Sequence, residues 1–239
     1  SELRRLLDSG KPDLILLQEA AIARESSNLP SALGDGYWAM SANLSDPSRN
    51  ILYGVLVASR ARPSAVRAML SKESEPLLGT AKSALLLRYP IDDDTLTVVD
   101  LHALNFSPRH DAFARQLSDI QEALGSSPGP CVVAGDFNTW SAKKRSLADS
   151  ILLRSGLVAV EFEDRKSPRT TVFGNPLDHI YYTPRHLRFE TAGSQIAGPI
   201  RYSDHLPLQA EFLIVPRTFK TDSSSDRSRP GSSPTDRSR

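Results

Sequence analysis

Apolar and polar positions along this chain follow two periods, and the switches between them mark out the elements. Leu3, Leu6 and Leu7 share one face of a 3.6-residue period between Ser1, a candidate cap, and Gly10, so 1–10 reads as a short amphipathic helix. The continuous apolar run 13–17 reads as a strand covered on both faces, delivering Gln18 and Glu19 to its end. Residues 37–42 and 52–58 read as paired strands joined by a polar loop, 43–50, and residues 82–89 and 96–101 as a hairpin around Pro90 and the acidic turn Asp92 to Asp94. Phe113, Leu117, Ile120 and Leu124 repeat at helical spacing, and the stretch 125–130 closes that helix and opens the apolar strand at Val132, Val133 and Ala134. A helix over 141–153, short strands at 170–173, 177–182 and 187–191, and a last half-covered strand at 208–215 complete the pattern. From Arg217 onward Ser, Arg, Asp and Pro dominate, which predicts a disordered tail over 217–239 and one folded domain over 1–216. There is no internal repeat.

Composition narrows the function classes. With 239 residues and 39% hydrophobic content the chain can bury a full core, and a layered fold of this size forms one domain. A net charge of +1 is not the balance of a protein that holds nucleic acid by charge alone, so any such role rests on local patches. The single cysteine, Cys131, excludes a disulfide framework and predicts a buried thiol in a reducing compartment. No apolar run approaches the ~20 residues that span a bilayer and no signal-peptide pattern opens the chain, so the expectation is a soluble, cytoplasmic monomer without stable membrane insertion.

The stretch Val132 to Trp140 organises the candidate chemistry. Gly135, Asp136 and Asn138 break its strand at the carboxyl end, where open sheets place ligands, and Asp136 and Asn138 lie two apart, one an acceptor and one an amide donor. The alternative is a turn in which both side chains bond their own backbone. The cluster Lys143, Lys144 and Arg145 nearby reads as a solvated face or as a rim facing phosphate, and Arg109 and Arg201 are further candidate phosphate contacts. Four more short motifs stand at strand ends: Gln18-Glu19, Leu101-His102, Leu177-Asp178-His179 and Ser203-Asp204-His205. His179 follows Asp178 and so points to the opposite side of its strand, a structural position, while His110 and His186 match no motif and read as surface residues.

In this order and spacing the five motifs, Gly135-Asp136-Phe137-Asn138 included, resemble the endonuclease/exonuclease/phosphatase superfamily, and 81–85, 102–106 and 135–141 look most like its YafD-like bacterial branch. The resemblance implies an α/β fold, a four-layer sandwich of two facing mixed sheets flanked by helices, with the site at one edge. It implies a Mg²⁺- or Mn²⁺-dependent phosphodiesterase in which Glu19 ligands the cation and Asp204 completes its environment or a second position. His102 and Asn138 hold the scissile phosphate, Asp136 positions or deprotonates the attacking water, and His205, oriented by Asp178, is the general base or a phosphate contact. A nucleic acid is the expected substrate, with a lipid or small phosphoester as the alternative enzyme reading and a catalytically impaired binding module as the third. The family also places a core strand bearing a metal-binding Asn before the helix on which this chain opens. No Asn precedes Gly10, so the expectation is a domain lacking its first strand.

Overall fold

A computed structural model describes residues 2–25, 36–75, 79–105, 110–126, 129–162, 170–199 and 203–216, so Arg109, Arg201 and the expected tail over 217–239 lie outside the described residues. In chain order the elements are α1 (Glu2–Gly10), β1 (Leu14–Ala23), β2 (Tyr37–Asp46), β3 (Ile51–Ser59), β4 (Ala65–Ser74), β5 (Ala81–Ile91), β6 (Asp94–His102), α2 (Asp111–Leu124), β7 (Cys131–Asp136) and α3 (Ala142–Leu153). They continue with β8 (Val158–Ala159), β9 (Thr171–Val172), β10 (Asn175–Pro176), β11 (Asp178–Tyr182), β12 (Leu187–Ile196) and β13 (Leu208–Ile214).

The alternation of side chains along each strand decides what each face meets. A six-stranded mixed sheet runs β4-β5-β6-β7-β11-β8, and Leu86, Val99, Leu101, Cys131 and Val133 on one face pack against Phe113, Leu117 and Ile120 of α2 and Ala148 and Ile151 of α3. The opposite face carries Leu85, Leu87, Tyr89 and Val98, which meet Val55 and Val57 of β3 and Leu14 and Leu16 of β1. Those last strands belong to a three-stranded sheet ordered β1-β3-β2, whose other face gathers Ile22, Leu56 and Ala58. Two sheets therefore face each other across an apolar layer, and each successive residue of β1, β3, β5 and β6 changes layers. β12 and β13 form a separate antiparallel pair, and Gly10 at the end of α1 lies against Gln209 of β13.

Three departures from the sequence reading have local causes. β2 and β3 are longer than 37–42 and 52–58, because Asp46 Oδ1 accepts from the backbone N–H of Ser48 at 3.0 Å and of Arg49 at 3.2 Å and tightens the turn to 47–50. β4 was not anticipated, since its sequence mixes charges with apolar residues and presents no run. It is an edge strand, with Val66 and Leu70 about half exposed, and β5 supplies its backbone partners. β12 extends to Ile196 through an irregularity between Glu190 and Gln195, where Ser194 donates to the Glu190 carbonyl.

Candidate active site

Strand register builds the centre of the site. In the parallel β6–β7 pair His102 stands opposite Asp136, and in the antiparallel β7–β11 pair Asp136 stands opposite Asp178. An imidazole and two carboxylates are thereby placed in a row on neighbouring strands, about 5 Å apart at the backbone. The approach of β6 to β7 requires Gly135, whose φ is 138° and where a Cβ would lie 2.0 Å from the Leu101 carbonyl oxygen.

Beyond Asp136 the chain turns through Asn138, at a φ of 51°. Asp136 Oδ1 accepts from the Asn138 backbone N–H at 2.7 Å, and the Asn138 amide donates to Asp136 Oδ2 at 3.1 Å and to the Ala103 carbonyl at 2.9 Å. The self-bonded turn and the convergent site are thus one structure, in which Asn138 fixes Asp136 and ties it to the segment after β6. Burial, and the neighbouring Asp178 charge after it, push the Asp136 carboxyl up to about 6.

His205 reaches this row from the loop before β13. Its Nδ1 lies 2.9 Å from both oxygens of Asp178, and that hydrogen bond is the chief cause raising the imidazole to about 9. At neutral pH the ring is a cation whose Nε2–H remains a donor. On the other flank His102 is buried and pushed down to about 3, by burial first and by the charges of Lys82 and His205 second. Lys82 Nζ lies 3.0 Å from His102 Nε2; an ammonium only donates, so Nε2 accepts and the ring proton sits on Nδ1. Lys82 also stands 3.7 Å from Glu75 Oε1, which accepts from the Asn105 N–H.

Lys82 and Glu75 are the site residues that sequence reasoning missed. The sole signal was the lysine's place in the stretch 81–85. Glu75 has none, being brought in by the β4–β5 turn.

Glu19 enters from β1, where the pairing with β3 is irregular between Leu17 and Ala20 and Glu19 has a φ of 54°. Gln18 donates to Asp100 Oδ1 at 2.5 Å between the two sheets, where burial holds the Asp100 carboxyl well above the usual range. The irregularity lets Glu19 approach the cleft, its Oε1 3.9 Å from His102 Nε2 with 77% of the side chain exposed. Asp204, next to His205, is exposed too. Among the described residues no three His, Cys, Asp or Glu side chains cluster tightly enough to enclose a metal. Exposed carboxylates of this kind fit Mg²⁺ or Mn²⁺, which take one or two protein carboxylates and retain several waters.

Lys144 is neither a solvated charge nor a rim residue. Fully buried, it donates to the Leu104 carbonyl at 2.7 Å and the Asn105 carbonyl at 3.1 Å, with its Nζ 4.5 Å from the Phe113 ring centre. Burial pushes its ammonium down to about 7. Arg145 likewise turns inward, to Asp149 and the His179 ring, and Lys143 alone of the three is exposed. His179 is buried against Phe137 and hydrogen-bonded to Thr139, a structural position as its parity requires. His110 is half-buried edge-on to Trp140, not a free surface residue.

Comparison with known proteins gives a consistent result. The model of the endonuclease/exonuclease/phosphatase family matches residues 1–205. A UPF0294 protein of Vibrio campbellii is 34% identical over 208 residues, 86% of this chain and 70% of that one, and a UPF0294 protein of Yersinia pseudotuberculosis is 41% identical over 160 residues, 66% of this chain and 58% of that one. Among solved structures, an endonuclease/exonuclease/phosphatase protein of Bacteroides vulgatus superposes with a TM-score of 0.64 at 15% identity, covering 90% of this chain and 89% of that chain. The human Nocturnin catalytic domain with a bound sulfate anion gives 0.60 at 19% identity, covering 90% and 86%. The α/β sandwich with flanking helices is the fold these structures share.

Proposed function

The chain belongs to the endonuclease/exonuclease/phosphatase family, and on that footing we propose that it hydrolyses phosphodiester bonds by activated-water attack, dependent on Mg²⁺ or Mn²⁺, with a nucleic acid as substrate. The observation that carries the reading is the row His102, Asp136 and Asp178, with His205 held by both oxygens of Asp178. Two titratable groups, both raised, stand in one cleft, a carboxyl at about 6 and an imidazole at about 9, so at neutral pH the first is a base and the second an acid.

In the reaction we assign, the Asp136 carboxylate takes a proton from water as its oxygen attacks phosphorus in line. The bond to the opposite oxygen breaks, and His205 gives its Nε2 proton to that leaving oxygen. Asp178 orients the ring and stabilises its charge. Asn138 holds Asp136 in position, and Lys82, with the neutral His102 beside it, offers positive charge to the phosphoryl oxygens. Family members generally use divalent metals; a bound Mg²⁺ or Mn²⁺ supplies Lewis-acid stabilisation of the charge on those oxygens, and Glu19 with Asp204 would hold it.

The test is hydrolysis of plasmid, single-stranded oligonucleotide, sphingomyelin and bis(4-nitrophenyl) phosphate, each with Mg²⁺, with Mn²⁺ and with excess chelator. Metal-dependent cleavage of the nucleic acids is expected, full activity in chelator contradicts the reading, and preference for sphingomyelin reassigns the substrate.

A further inference from the structure

The hairpin of β9 and β10 presents an aromatic ring to solvent, and no packing among the described residues accounts for it. Val172 pairs with Asn175 and Thr171 with Pro176, leaving Phe173 and Gly174 as a two-residue turn with φ values of 51° and 76°. Positive φ at both positions is the turn that favours Asn-Gly, and a bulky aromatic at the first of them is unfavourable. Phe173 is also 88% exposed, the most exposed large hydrophobic side chain among the described residues. The position thus carries two costs. That of backbone conformation is only partly offset by the Asn175 amide, which donates to the Phe173 carbonyl at 3.2 Å, and that of solvation is offset by no contact of the ring among the described residues.

The hairpin's base joins both catalytic segments. Asn175 Nδ2 donates to the Trp140 carbonyl at 3.0 Å and Thr139 Oγ1 donates to the Pro176 carbonyl at 2.6 Å, which anchors β10 to the turn after Asp136. Thr170 Oγ1 accepts from the Leu206 N–H at 2.7 Å, which ties the start of the hairpin to the residue after His205. β10 then runs through Leu177 directly into Asp178. Five residues of chain keep the Phe173 backbone within about 17 Å of that of Asp178, a reach of a few nucleotides.

We propose that the Phe173 ring stacks on a base of a polynucleotide whose phosphate occupies the catalytic row, so that the substrate presents an accessible base face, as single-stranded or opened nucleic acid does. This rests on the phosphodiesterase reading and adds the substrate's form. The tip Thr171-Val172-Phe173-Gly174 holds one ring, one small apolar neighbour and no charge, which matches a single base. A membrane anchor needs a broader apolar face with cationic flanks, which the described hairpin does not carry.

The experiment measures equilibrium binding of a short single-stranded oligonucleotide in chelator, where no turnover occurs, for the unmodified chain, Phe173→Asn, Phe173→Trp and the control Leu153→Asn, which removes an exposed hydrophobe at the far end of α3. Phe173→Asn should bind about five- to a hundredfold more weakly while melting at the same or a higher temperature, because Asn suits the turn. Leu153→Asn should bind like the unmodified chain, and Phe173→Trp should retain binding with quenching of the new indole. Equal affinity of Phe173→Asn and the unmodified chain, no binding by either, or a loss confined to phosphatidylcholine or phosphatidylserine vesicles overturns the proposal. Absence of hydrolysis with measured, Phe173-dependent binding counts against the phosphodiesterase reading and leaves the stacking assignment standing.

Discussion

The two halves of the cleft are built to different standards of rigidity. The half from the six-stranded sheet consists of side chains at the ends of adjacent strands; the Asp136 side chain is 11% exposed and accepts two hydrogen bonds from Asn138, whose amide also donates to the Ala103 carbonyl. The half from the smaller sheet and the 203–206 loop carries Glu19 on a strand irregularity, with its side chain 77% exposed, and Asp204 in the open. In the mechanism proposed above, Asp136 accepts a proton at a distance fixed by register, and the loop residue His205 is fixed by its hydrogen bond to Asp178, because proton transfer tolerates little misplacement. Carboxylates for a hydrated cation need no such confinement, since water fills the remaining coordination positions.

Substitutions at Asp136, and at the Asp178–His205 pair that docks the loop onto it, should break catalysis most. Asp136→Asn and His205→Ala are each expected to lower turnover by roughly 10²–10⁴-fold, and Asp178→Asn to act as a milder His205→Ala. Steady-state rates for the Asp178→Asn, His205→Ala pair should fall well short of the product of the single losses; a multiplicative result would separate Asp178 from His205.

The same confinement has a stability cost. Asp136 binds its proton more tightly folded, at about 6, than the ordinary value of 3.8, so its contribution to stability is fully present below the ordinary value and is lost as pH rises through about 6. Asp136→Asn should therefore be more stable at neutral pH by on the order of 1–3 kcal/mol, measured by denaturant melts, although inactive. In activity the sign reverses. The rate should climb as Asp136 deprotonates near 6 and decline as His205 deprotonates near 9, giving a bell in a pH–rate profile.

Changes in the open half should act on cation affinity and leave the fold alone. Glu19→Gln is expected to weaken Mg²⁺ binding by at least about 10–100-fold in a calorimetric titration with an unchanged melting temperature. The smallest effect expected is from Asp204→Asn, less than about tenfold on the same readout, because Glu19 is the expected ligand and Asp204 only completes the cation's surroundings. A loss of melting temperature in either variant would erase the distinction between the halves.

That contrast explains what the sequence could convey. His102, Asp136 and Asp178 were legible because a run of apolar residues ending in a polar one is a local signal, and strand ends in such sheets converge. Glu19 was legible as a motif, but the irregularity that presents it depends on β3, which lies far along the chain. Lys82 and Glu75 were not, since Lys82 meets His102, and Glu75 meets Lys82, through the edge hairpin of β4 and β5, and β4 itself has no apolar run. Lys144 was misread because a lysine beside two other cations looks solvated; only the folded chain brings the carbonyls of Leu104 and Asn105 and the Phe113 face to its ammonium.

Cys131 gives the register-held half a reporter of its own. It opens β7, is 0% exposed, and burial pushes its thiol up to about 12, so it is closed to alkylating reagents while that strand is in place. Because the chain has one cysteine, the rate at which a thiol reagent labels it counts openings of the strand that ends in Asp136, with no competing signal from elsewhere. A labelling rate that slows when oligonucleotide is added would record, without any assay of turnover, that its binding and the strand ending in Asp136 are energetically coupled.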